Sequence, residues 1–129
     1  MTVSSFVARP LIAGMFVYGG LDALKNPRGK VPKADNVAPD IVDVVGIDAD
    51  TEQLVQFNGA VQVAAGAALA FGVFPRVAAV LLAGSLVPTT LAGHRFWEEE
   101  DDAARAQQTV QFLKNLAMFG GLLMIIEHG

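Results

Sequence analysis

Apolar residues gather into four long blocks along the chain, and charged connectors separate them. Crossing roughly 30 Å of hydrocarbon takes about 20 apolar residues in helical form. The first block, Ser4 to Ala23, carries Arg9 and Asp22 towards its ends, with Pro10 suited to a first helical turn. The second, Gln53 to Pro75, is the clearest, because it contains no ionisable side chain. The third is Val77 to Gly93, 17 uncharged residues continued by His94-Arg95-Phe96-Trp97. The fourth, Ala106 to Ile126, has 21 residues and a single charge, Lys114. A helix dissolved in water keeps a broad polar face, yet Val77–Gly84 and Leu116–Ile126 are apolar on every side. The pattern predicts an all-α, integral membrane four-helix transmembrane bundle. One domain is expected over 1–129, with helices at about 4–23, 52–74, 76–97 and 104–127 and the lipid bilayer as solvent. "LDALKNPRGK" after the first block lacks an A-x-A-like cleavage site, so that block reads as a retained helix rather than a signal peptide.

The connectors add topology. Blocks two and three are joined by "FPR", which forces them antiparallel, and blocks three and four by the acidic run Glu98-Glu99-Glu100-Asp101-Asp102. The long connector Lys25–Asp50 holds three prolines and many charges and is expected at the interface, with a short surface helix after Pro39 over residues 40–45. Asp50 or Thr51 caps the next helix, and Asp50-x-x-Gln53 has capping-box spacing. Lys25, Arg28, Lys30, Lys33, Arg95 and Arg105 lie on the side of the two longer connectors, against Arg9 and Arg76 on the other. The positive-inside rule therefore favours cytoplasmic long loops.

Composition agrees with lipid. Hydrophobic residues make up 53% of the 129, and charged ones only 17%, against roughly 25% in soluble domains. The net charge of −4 and the absence of a basic stripe exclude nucleic acid as a partner. There is no cysteine, which removes disulfides, iron–sulfur clusters and thiol nucleophiles.

Polar groups in hydrocarbon are costly and mark candidate sites. Lys114 is the sharpest. With Gln107, Gln108, Gln111 and Asn115 it recurs at spacings of three, four and seven, predicting one polar stripe turned to the bundle interior. The amides have two open roles, as hydrogen-bonding glue between helices or as ligand contacts. Asn58 and Gln62, four apart, pose the same choice, with the glue role favoured for Gln62, beside the small residues of "GAVQVAAGAALAFG", which favour close packing. In "GSLVPTTLAGHRFW", Pro88 frees the Gly84 carbonyl, and Ser85, Thr89 and Thr90 can substitute for the lost bond. Thr90 and His94 are one turn apart, and Trp97 with Arg95 suits an interface anchor. His94 and Glu98 have metal-pair spacing, but one pair is a weak signal, and no metal site is expected. His94 and His128 lie at opposite faces and cannot be the two axial ligands of one haem.

"AGHRFWEEED" followed by "QFLKNLAMFGGLL" resembles the signature of the DoxX family of membrane proteins, actinobacterial type. "ARPLIAGMFVYGGLDALKNP" and "NGAVQVAAGAALAFGVFPRVAAVLLAGSLVPTTLAG" are similar to it as well, so the likeness runs along nearly the whole chain. The resemblance implies four helices in the cytoplasmic membrane, multi-pass. It also implies association with redox or oxidative-stress proteins, because the family takes its name from a subunit of a thiosulfate:quinone oxidoreductase. The matched polar positions are Arg9, Asn58, His94, Arg95, Trp97, Lys114 and Asn115.

Without cysteine, any reactive sulfur group must belong to a partner or a substrate. The chain has no expected intrinsic cofactor and offers instead a quinone- or small-ligand pocket between the third and fourth helices. Quinone carbonyls accept hydrogen bonds, and Lys114, His94, Asn115 and Tyr18 are candidate donors, with Asn58 and Arg9 as further candidate ligand residues. The leading expectation is a membrane subunit of a redox-linked complex with other membrane or membrane-associated redox proteins. The alternative is a non-catalytic anchor or assembly scaffold, making its contacts through Glu98–Asp102 or the 25–50 connector.

Overall fold

The fold is described from a computed structural model over residues 3–35, 38–40, 50–93 and 96–129. Among the described residues the helices run in the order α1 (Val3–Lys25), α2 (Pro27–Ala34), α3 (Thr51–Ala70), α4 (Pro75–Gly93) and α5 (Asp102–His128), all long but α2. A 3-10 turn, Phe96–Glu98, follows α4. No strand occurs among the described residues. Residues 38–40 are helical, whereas 41–49, with most of the expected surface helix, lie outside the described residues.

The helix ends follow local chemistry. At α3 the Asp50 side chain accepts from Gln53 N at 2.8 Å, and Asp50 N donates back to Gln53 Oε1 at 3.1 Å, the expected capping box. Asp101 caps α5 through Ala104 N at 2.9 Å. α3 stops at Ala70, four residues before the expected end. Gly72 takes φ 71°, Gly72 N donates to Leu69 O, and Val73 N donates to Ala68 O, which is a Schellman stop. The turn is therefore Phe71–Phe74, and Pro75 opens α4 as its first residue. Asp22, near the end of α1, holds Lys30 of α2 at 2.7 Å, and Arg28 of α2 meets Glu52 at 3.7 Å. These links tie the exposed α2 to both neighbours.

α3 lies antiparallel against α1 on one side and α4 on the other. Against α1 the contact is backbone to backbone. A Cβ on Gly20 would fall 2.7 Å from Gly59 O, and one on Gly59 2.9 Å from Gly20 O. Higher on the same seam a Cβ on Gly66 would meet Val17 Cγ2 at 2.9 Å. This is small-residue packing of the membrane type. Beyond it, Phe16, Leu69, Leu82, Leu86 and Leu122 form a narrow core rich in alanine. α5 packs antiparallel on α4, and it meets α1 where Ile12 abuts Gly121 and Arg9 reaches Gly129.

The large apolar residues that the core cannot hold point outward, among them Leu11, Phe57, Leu81, Val110, Leu113 and Met124. A water-soluble protein rarely exposes so continuous an apolar surface. Three helices, α1, α4 (extended through the 3-10 turn) and α5, are long and apolar enough to cross a membrane. The chain is an all-α membrane protein, multi-pass. α3, which the sequence pattern makes the clearest span, is not among the three. At 20 residues it has the length, but Gln53, Gln56, Asn58 and Gln62 dilute its hydrophobicity.

Candidate functional site

Two polar clusters lie within the bundle, and they are built differently. The first joins α3 to α4. Ser85 Oγ donates to Asn58 Oδ1 at 2.6 Å, and Asn58 Nδ2 donates to Thr89 Oγ1 at 2.9 Å. Gln62 Nε2 reaches Ser85 Oγ at 3.0 Å and Thr89 Oγ1 at 3.3 Å, while the Thr89 hydroxyl donates to Ser85 O at 3.0 Å. Two amides and two hydroxyls close on one another, leaving little for a ligand. These bonds join α3 to α4 as interhelical glue, the role the sequence leaves open for Asn58 and favours for Gln62.

The second cluster joins α4 to α5. Asn115, buried, donates from Nδ2 to Thr90 Oγ1 at 3.0 Å, and the Thr90 hydroxyl donates to Leu86 O at 2.7 Å. The hydroxyls of Thr89 and Thr90 thus turn to the carbonyls four residues back, Ser85 and Leu86, rather than to the Gly84 carbonyl that Pro88 frees. The Thr90–Asn115 pair floors an open groove of about 190 Å³ between the two helices, lined otherwise by Leu86, Val87, Leu91, Phe112, Leu116 and Phe119. Val87, Leu91 and Leu116 are also outward residues, so the groove opens sideways, onto the apolar surface of the bundle. At its Phe112 end three rings meet edge to face. Phe96 and Trp97 are 5.2 Å apart between centroids, and each is within 5.7 Å of Phe112.

Of the sequence-predicted site residues that are described, only Asn115 lines this groove. His94 and Arg95 lie outside the described residues. Lys114 is half-buried beside the groove, with Nζ on Gln111 Oε1 at 2.7 Å. The expected interior stripe on α5 is split: Asn115 is buried, Gln111 and Lys114 sit on the helix flank, and Gln107 is exposed. The physical reason is angular. A seven-residue span on a helix drifts only about 20°, but the one-residue step from Lys114 to Asn115 turns about 100°, so both cannot face α4 squarely. Tyr18 is 78% exposed on the outer side of α1, away from the groove. Arg9 is 6% exposed and donates to the main-chain oxygen of Gly129, while Arg76 reaches Glu127 O at 3.4 Å. Both arginines thus serve the negative end of α5. Asn58 is committed to the first cluster.

Phe112 and the pairing of Thr90 with Asn115 were not singled out as a site by the sequence. The available signal was the three-residue spacing of Phe112 and Asn115, which places both on one face of α5. Among the described residues no group of three or more His, Asp or Glu side chains could hold a metal.

The DoxX family model matches residues 4–95, more than two thirds of the chain. The chain belongs to the DoxX family. No curated protein and no solved structure matches it. The match runs from α1 through α4 and ends at Arg95, so the likeness is narrower than the sequence motifs imply. In this DoxX protein α5, with Asn115, Lys114 and Phe112, lies beyond the matched residues, and the groove is formed between a matched helix and an unmatched one.

Proposed function

We propose that this DoxX protein is a membrane subunit of a redox-linked complex in the cytoplasmic membrane, and that it holds a quinone or similar small ring in the α4–α5 groove. The observation that supports the reading is the groove itself: apolar walls, an aromatic end and one polar pair on the floor, open to the side where lipid-dissolved molecules travel. Its volume of about 190 Å³ is below the roughly 300–1,000 Å³ of sites for drug-sized ligands. It suits one ring or a short length of isoprenoid chain. Asn115 spends one N–H on Thr90; its second N–H and its Oδ1 belong to a buried side chain, so a quinone carbonyl or quinol hydroxyl would meet them only at the groove floor.

The groove's apolar and aromatic lining supports a share in binding and orientation. Electrons come from a partner, in keeping with a chain that has no cysteine. We take α3 as a fourth membrane-crossing helix, because it lies lengthwise between α1 and α4 and spends Asn58 and Gln62 inside the bundle. The long connectors then face the cytoplasm, by the distribution of Lys and Arg.

The test is to purify the protein from its own membranes in mild detergent and assay bound quinone. We expect retained quinone, reduced about tenfold in a Val87→Phe, Asn115→Leu double variant, equivalent to about 1.4 kcal/mol of binding. Protein that carries no quinone, and that acquires none from added quinone, would overturn the reading.

A further inference from the structure

The feature that the groove does not use is Lys114. It lies eight residues after Ala106, where the apolar block of α5 begins, and twelve before Ile126, in a helix that is long and apolar enough to cross a membrane. An ammonium at that depth is costly unless it is paired. Its described hydrogen bond goes to a neutral amide, Gln111 Oε1, and among the described residues no carboxylate lies within ion-pair distance of it. Asp102 is about 18 Å away along the helix at about 1.5 Å per residue, beyond a lysine's reach.

Gln107, Gln111 and Lys114 follow at four and three residues and so share one flank of α5. Gln107 is exposed and the other two half-buried. α5 is also the least enclosed of the three candidate spans. Beside the flank, Val110 and Leu113 are apolar and open, so polar and apolar contacts adjoin.

We infer that this flank is the docking surface for a membrane-spanning helix of another protein, which places an Asp or Glu carboxylate opposite Lys114. The complementary charge selects the occupant. The described long helices of a second copy do not supply it, because their carboxylates sit at their ends: Asp22 in the last turn of α1, Glu52 in the first of α3, Asp102 and Glu127 at the two ends of α5. Gln107 and Gln111 then hydrogen-bond across the seam, and the ammonium exchanges a neutral acceptor for a charged one. The inference goes beyond the quinone reading and uses a different side of α5, so either can fail alone.

The intact membrane is the setting for the test. A photo-crosslinking residue is placed at Gln107 or Val110, with Leu123 as the control on the opposite side, in the full-length protein in its own membranes. We expect crosslinks from Gln107 and Val110 to a membrane-spanning segment that contains Asp or Glu. Yield should fall about tenfold in Lys114→Leu, persist in Lys114→Arg, and return when Lys114→Asp is combined with Asp→Lys or Glu→Lys in the captured segment. The double charge exchange separates loss of pairing from loss of folding. Crosslinks to lipid or to a second copy alone, a yield that Lys114→Leu leaves unchanged, or an equal loss in Asp43→Asn or Asp48→Asn of this chain would each overturn the inference.

Discussion

Asn58 and Asn115 look alike in the sequence, each an amide within an apolar helix, and the fold pairs each with hydroxyls of α4, Asn58 from α3 and Asn115 from α5. Asn58 meets Ser85 and Thr89, so its carbonyl and an N–H are both engaged in joining α3 to α4. Asn58→Leu should cost about 1–2 kcal/mol, the range for bonds between membrane helices, read as a lower unfolding temperature in detergent with quinone retention preserved. Asn115→Leu should do the reverse, lowering retention more than stability. Lys114 was legible as an outlier because one charge in 21 residues stands out without any structure. Its direction was not legible, since a single residue separates it from the buried Asn115. Gly20 and Gly59 carry the closest backbone approach, and Gly20→Val should destabilise the α1–α3 seam by about 1–3 kcal/mol, measured in the same unfolding assay.

At the scale of elements, caps and stops were the readable part. The capping box at Asp50 and Gln53 follows from two residue types at fixed spacing, and it forms. The sequence pattern carries α3 past its end because Phe71, Val73 and Phe74 prolong the apolar run, while the stop depends on the φ of 71° at Gly72. Gly72→Ala should therefore cost about 1–2 kcal/mol by forcing a Cβ into the left-handed region, and the expected readout is a lower unfolding temperature without loss of helix content by circular dichroism. α3 shows why absence of charge and hydrophobicity are different criteria. Its amides lower its apolar content, yet Gln62 is buried and Asn58 half-buried against α4, where they do not meet lipid. If α3 crosses the membrane, a cysteine introduced as Ala60→Cys should resist a membrane-impermeant maleimide, whereas Glu100→Cys should react.

For the whole molecule, the outward apolar surface and narrow core make lipid the solvent, and this was readable from runs with no polar face. The groove was not, because it depends on how α4 and α5 cross and on which side of each helix is left open. The groove opens sideways onto the apolar surface, and the one tryptophan of the chain, Trp97, lies 5.7 Å between ring centroids from Phe112 in the groove wall. Quinones quench nearby indoles, so Trp97 fluorescence is a direct reporter of occupancy. The decisive measurement is a titration of the purified protein in detergent with a short-chain quinone. Saturable quenching of Trp97 is expected, weakened about tenfold by Asn115→Leu. Quenching that never saturates, or that the Asn115→Leu and Val87→Phe variants leave unchanged, would contradict the quinone reading.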